Sequence, residues 1–187
     1  KLYELGKKLN WNVEEDVDWT PEFKGMQDEE FEFENSQWER HPVYKTWNIE
    51  KRKDFFRDLS AWSLSQFLHG EQGALLVASQ LASCAPTFNA KLYAASQTFD
   101  EARHVEAFNK YLQTRIKKSW PIGRALKGLL DKILTDPRWD LKFIGMQVVI
   151  EGLALAAFQT SKESSSDEVY KNMIELIIRD EARHVTF

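Results

Sequence analysis

The chain has 187 residues, enough to bury a sizeable core without covalent staples, and its single cysteine excludes an intramolecular disulfide. Hydrophobic residues make up 43% and aromatic residues 13%, with seven Trp and twelve Phe, which excludes a disordered or fibrous chain. The net charge is −4, and basic residues occur only in short groups such as Lys51 to Lys53 and Arg115 to Lys118, so nothing resembles a nucleic-acid footprint.

Residues 1–48 scatter Trp11, Trp19, Trp38 and Trp47 among acidic stretches such as Asp28-Glu29-Glu30, with breaks at Pro21 and Pro42. This composition predicts an irregular leader with short helical turns that packs on the remainder through its aromatics. From Ile49, Ala61, Leu64, Leu68, Leu75, Ala78 and Ala82 recur at helical steps, and Glu71 fills the gap in that stripe. The helix should run to Ser83 and break at Pro86. A second follows through Leu92, Ala95, Phe99, Ala102, Phe108 and Leu112 until Trp120-Pro121-Ile122-Gly123. A short amphipathic piece, Arg124 to Leu134, leads to a third helix from about Trp139 to Thr160. That helix is apolar almost all round, which predicts a place in the middle of the core. The polar run Lys162 to Asp167 makes a turn, and a fourth helix carries Val169, Met173, Ile174, Ile177 and Ile178. Residues 49–187 therefore read as an all-α four-helix bundle.

Cys84, between small residues near a helix end, is expected to be a buried or half-buried thiol. No apolar run approaches the roughly 20 residues of a membrane span, and Lys-Leu-Tyr-Glu-Leu at the start lacks a signal-peptide core. A cytoplasmic setting is expected. The missing initiator Met, and an end three residues past His184, lead us to expect a piece of a longer chain, truncated at the C-terminus.

Two segments repeat almost verbatim, Asp100-Glu101-Ala102-Arg103-His104-Val105 and Asp180-Glu181-Ala182-Arg183-His184-Val185, offset by 80 residues. In each, Glu and His are three apart, so both project from one helix face and can reach a common metal ion. Thirty residues before each Glu-x-x-His stands another glutamate, Glu71 before Glu101 and Glu151 before Glu181. The midpoints of those intervals are Pro86 and Ser166, at the two predicted turns. Fifteen helical residues rise about 22 Å on each arm, so each antiparallel pair returns its two glutamates to one height. Two such hairpins face to face would gather Glu71, Glu101, His104, Glu151, Glu181 and His184, the ligand set of a dinuclear carboxylate bundle.

Four carboxylates neutralise two divalent ions, and oxygen with imidazole donors suits iron or manganese better than copper or a thiolate zinc site. Asp100 and Asp180 lie on a different azimuth from their neighbouring ligands and are candidates to orient the histidine of the opposite motif, with Arg103 and Arg183 as their partners. Gln97 and Gln147, one turn before a ligand glutamate, can bond its carboxylate or each other. Phe67, Phe108, Leu155 and Phe158 are candidate pocket residues, though at helical spacing such residues are often plain core. Gly70, Gly73 and Gly152 are candidates for close helix approach. His41 and His69 read as surface or packing residues. The alternative for Glu151, flanked by Val148-Val149-Ile150 and Leu153-Ala154-Leu155, is a buried ion pair with an arginine.

On Glu71, Asp100 to His104, Glu151 and Asp180 to His184, the chain from Ile49 to Phe187 resembles the ferritin-like di-iron carboxylate superfamily. Within it the chain looks most like the oxygen-activating branch of multicomponent monooxygenase hydroxylases, ribonucleotide reductase small subunits and ligand-binding oxidases. The resemblance implies two iron ions, with manganese or a mixed manganese–iron pair as variants. It further implies O2, a small and largely apolar organic substrate and an external electron donor, with no nucleic acid and no membrane span. A symmetric homodimer is the default assembly. The chain departs from the reductase pattern at Phe108, where those subunits commonly carry a tyrosine. It departs from the hydroxylases at Leu155, where they often carry a threonine. The alternative function is a ferroxidase or iron-sequestering protein without an organic substrate, and a third is a non-catalytic structural bundle.

Overall fold

A computed structural model of the chain describes residues 1–23 and 37–186, so the Asp28-Glu29-Glu30 part of the expected leader lies outside the described residues. Those described are all-helical, without a strand. Short helices α1 (Leu2–Lys8) and α2 (Pro42–Lys45), with a 3-10 turn at Gln37–Arg40, precede the long α3 (Ile49–Cys84) and α4 (Phe88–Tyr111). Then come α5 (Arg124–Thr135), α6 (Trp139–Phe143), α7 (Glu151–Ser164) and α8 (Glu168–His184).

Local chemistry sets the ends of the long elements. The side chains of Asn48, Thr87 and Asp167 cap α3, α4 and α8 by accepting from Lys51 N, Ala90 N and Val169 N. Pro86 falls in the short link between α3 and α4, where it cannot continue a helix. At the far end α4 passes into a π-helical turn, Leu112–Ile116, that stops at Lys117 with φ 56°. The buried Lys142 ammonium donates to the Ile133 and Leu134 carbonyls at 3.0 and 2.8 Å, satisfying orphan acceptors at the end of α5.

The pairs α3–α4 and α7–α8 pack as antiparallel hairpins, joined across α4 and α8. One core cluster lies between them and includes Leu64, Leu68, Phe108, Met173, Ile174 and Ile177. The leader contributes Trp11, Val13 and Val17 to it, and α1 lies against α4 and α8. A second cluster, with Val77, Leu81, Leu130, Ile133 and Met146, holds α5 and α6 against α3.

Three sequence expectations are corrected. On α4, Ala95, Phe99 and Ala102 face solvent, because the inward face is polar, carrying Gln97, Asp100, Glu101, Arg103 and His104. The third helix does not occupy the middle of the core. It runs from Trp139 to Ser164, changes to π-helical winding at Ile144–Ile150 just before Glu151, and exposes Ile144, Val148, Val149 and Leu153. By length and composition this 26-residue helix could cross a membrane: its most apolar 18-residue stretch has mean hydropathy 1.7 and is 28% buried. Glu151 interrupts the run, which hid that average from a search for unbroken apolar sequence. Finally, Cys84 is exposed at the last position of α3.

Of the glycines near the glutamates, only Gly73 serves close approach: a Cβ there would lie 2.6 Å from Leu130 Cδ2 on α5, whereas Gly70 and Gly152 meet nothing within 4 Å. Gly70→Ala should therefore stabilise the fold by about 0.5–1 kcal/mol. Gly73→Ala should lose that gain to crowding and cost up to about 2 kcal/mol net. Urea denaturation of the two variants checks the contrast, and an equal response would contradict the packing described.

Candidate metal centre

The fifteen-residue arms return their glutamates to one level, and the structure brings all six predicted ligand residues together. Two groups of donor atoms form, each with every atom within 4.8 Å of the others. One comprises Glu71, Glu101, His104 and Glu181, the other Glu101, Glu151 and His184, so Glu101 belongs to both. All six residues are buried. His104 Nδ1 lies 3.1 Å from Glu71 Oε2, 3.2 Å from Glu181 Oε1 and 3.4 Å from Glu101 Oε2. His184 Nδ1 lies 3.1 Å from Glu101 Oε1, 3.4 Å from Glu181 Oε1 and 4.0 Å from Glu151 Oε2.

Both histidines thus point Nδ1 inward, and the reason lies at the other ring nitrogen. His104 Nε2 is 3.2 Å from Asp180 Oδ2, and His184 Nε2 is 3.3 Å from Asp100 Oδ2. Each aspartate holds the histidine of the other repeat. Two arginines lock the exchange. Arg103 donates to Asp100 at 2.7 Å and Asp180 at 2.8 Å, while Arg183 donates to Asp180 at 2.6 Å and Asp100 at 2.8 Å. This buried ring of two aspartates and two arginines is electrically neutral by itself, which is the condition under which buried charges are tolerated. It leaves the four glutamates without a compensating arginine, so the alternative of a Glu151–arginine pair is not what the fold builds. Glu151 Oε1 instead accepts from Gln97 at 2.8 Å and Gln147 at 3.2 Å, and Gln97 also donates to Glu101 Oε1 at 3.1 Å.

Burial of these carboxylates side by side perturbs the protonation of Glu71, Glu101 and Glu151. Burial raises the Glu71 and Glu151 carboxyls well above the usual range, with Glu181 and Glu101 adding to the effect. Burial also opposes ionisation of Glu101, but the two imidazoles outweigh it and hold that carboxyl below the usual value. For His104 burial again disfavours charge, yet Asp180 and the surrounding glutamates prevail and raise its pKa well above normal; His184 behaves alike beside Glu181, Glu101 and Asp100. Even so, Glu101 Oε2, Glu151 Oε2, both oxygens of Glu181 and His184 Nδ1 make no hydrogen bond. Buried carboxylate oxygens and an inward imidazole nitrogen left without hydrogen bonds are atoms arranged for a cation, which would displace the protons.

Trp11 was not identified from sequence. Its indole donates to Asp180 Oδ2 at 2.7 Å, its ring stacks near His104 with centroids 6.3 Å apart, and the Arg103 guanidinium lies 4.8 Å above it. Asn10 Oδ1 accepts from Arg103 at 2.5 Å. Neither has a spacing relation to the motifs; the separation of 169 positions between Trp11 and Asp180 is closed only by folding. Among the predicted pocket residues, Phe67 and Phe158 border a cavity of about 280 Å³ that also touches Glu71, Glu151 and Glu181. Phe108 and Leu155 do not line it; they belong to or pack against the core cluster beside it. His69 bonds the Trp120 carbonyl and Gln72, away from the centre, and His41 is exposed.

Comparison of the chain with protein-family models, with characterised proteins and with solved structures gives no match in any of the three.

Asp180→Asn keeps the shape of the ring but removes the charge that orients His104 and faces two guanidinium groups. Metal affinity should fall about 10–100-fold, measured by competition with a coloured chelator. Asp180→Ala, which strands buried arginines, should in addition cost about 3–5 kcal/mol of stability. Unchanged affinity in Asp180→Asn would contradict the positioning role.

Proposed function

We propose that this chain is a ferritin-like four-helix bundle that binds two iron ions and uses O2 to oxidise a small, largely apolar organic molecule, with electrons from an external donor, in a cytoplasmic setting. Manganese in one or both positions is compatible with the same donors. The observation that carries the reading is the donor set itself: two imidazole nitrogens and four carboxylates, buried, with Glu101 common to both groups and several oxygens left without hydrogen bonds. Four glutamate charges balance two divalent ions, whereas the Asp100–Arg103–Asp180–Arg183 ring needs no further charge.

The side chains fit that task. Glu71 and His104 would serve one ion and Glu151 and His184 the other, with Glu101 and Glu181 between them. When bound, the metal pair supplies one-electron steps and a place for O2, chemistry that no side chain here provides. The chain contributes orientation, through the crossed aspartates, and exclusion of water. The apolar cavity against Glu71, Glu151 and Glu181, walled by Phe67, Ala154, Ala157 and Phe158, can hold an organic molecule beside the centre. That cavity favours oxidation of such a molecule over simple iron storage. Trp11, hydrogen-bonded to the aspartate that holds His104, links the leader to the ligand network and offers an oxidisable side chain at its edge.

The test loads the protein with Fe(II) under argon and follows near-ultraviolet absorbance after mixing with O2. Two equivalents of iron per chain and a rapid O2-dependent change are expected, both lost in Glu151→Ala. Binding of under about one equivalent, or an unaltered response in Glu151→Ala, would overturn the reading. Turnover of many equivalents of Fe(II), indifferent to every apolar additive, would point to iron handling instead.

A further inference from the structure

A second, larger cavity of about 680 Å³ lies toward the α7–α8 turn, within the size range of small-molecule sites. Among the described residues its wall shares Phe67 and Ala157 alone with the cavity at the glutamates. At that shared wall Phe67 belongs to a cluster of three rings: it meets Phe158 edge-on at 4.9 Å and Phe108 at 5.9 Å, and Phe108 and Phe158 are 5.7 Å apart. Phe108 and Phe158 are fully buried and fixed by packing, whereas Phe67 is partly exposed and, among the described residues, is the only ring on both walls.

The lining of the larger cavity also has a definite chemistry. Among the described residues it contains no lysine, arginine or histidine, and the one carboxylate among them, Asp167, is committed: Oδ2 accepts from the Tyr111 hydroxyl at 2.7 Å and Oδ1 from Val169 N at 3.0 Å. An anionic head would sit beside that carboxylate with no cation among the described wall residues to offset it, an expensive burial. Neutral partners are plentiful. The Ser161 and Tyr170 hydroxyls share a hydrogen bond of 2.8 Å in which either can donate, and Ser63 also lies on the wall. Leu59, Leu64, Ile116 and Ala156 supply apolar surface.

We propose that this larger cavity binds an uncharged molecule with an aliphatic or aromatic body and a hydroxyl-like head, and that Phe67 is the partition that sets how far such a molecule reaches toward the glutamates. As a reservoir for the substrate of the metal centre the site rests on the function proposed above; as a binding site it does not.

The experiment uses the full chain under argon, so that binding is read without turnover. Calorimetric titrations compare 1-alkanols, from butanol to dodecanol, with alkanoates and alkylammonium ions of equal length at neutral pH. Affinity for the alkanols should rise about fourfold per added methylene and then level off when the cavity is full. The alkanoates should bind roughly tenfold or more weakly. In Phe67→Ala the levelling should move to longer chains, because the two cavities join. Ala156→Trp, at an exposed position on the wall, should intrude into the larger cavity and weaken alkanol binding while leaving the fold intact. Alkanoates or alkylammonium ions binding as tightly as alkanols, an unmoved levelling point in Phe67→Ala, or normal binding in Ala156→Trp would overturn the proposal. Alkanol binding without O2 chemistry in iron-loaded protein would defeat the proposed function and leave this site standing; O2 chemistry without alkanol binding would do the reverse.

Discussion

Four glutamates share one water-poor space, and the rest of the fold is arranged around that electrostatic burden. In such surroundings like charges repel strongly and each ionised carboxylate forfeits hydration. The raised Glu71 and Glu151 carboxyls and the raised imidazoles show the adjustment that protons alone can make. Divalent cations would provide a fuller one. The Asp100–Arg103–Asp180–Arg183 ring contributes by staying neutral itself, and by turning both Nδ1 atoms toward the glutamates.

The exchange between repeats ties that chemistry to the fold. Because Asp100 serves His184 and Asp180 serves His104, neither Glu-x-x-His segment is complete without the other helix. The contact between α4 and α8 is thus part of the site as well as of the core. The caps at Asn48, Thr87 and Asp167 set the phase of the helices, and Pro86 and the Ser165–Asp167 link let the arms return at equal height. The π-helical winding at Ile144–Ile150 ends at Glu151 and alters the phase of that helix just where a carboxylate must turn inward. Trp11 adds the leader to the same network.

Much of the centre was legible because it is periodic. The 80-residue offset and the thirty-residue intervals centred on Pro86 and Ser166 depend on helix rise alone, so they located Glu71, Glu101, His104, Glu151, Glu181 and His184 and suggested the crossed aspartates. What escaped was whatever period does not encode. Apolar Phe99 and Ala102 suggested a buried stripe on α4, yet the polar residues of the centre claim that face. The apolar run around Glu151 suggested a central helix, whereas Ile144, Val148 and Leu153 lie on its outer side. Trp11 was indistinguishable from the other leader tryptophans until folding placed it on Asp180. The division of the pocket residues follows from packing: Phe67 lies on two cavity walls, while Phe108 is enclosed in the core.

The central claim is that crossed aspartates aim two imidazole nitrogens at four glutamates so that two metal ions bind side by side. Crystallography of the iron-loaded protein, with anomalous scattering recorded at the iron edge, tests it most directly. The account predicts two iron positions, one on Nδ1 of His104 and one on Nδ1 of His184, with Glu101 shared between them. A single iron, iron bound through Nε2, or no iron among these six residues would contradict it.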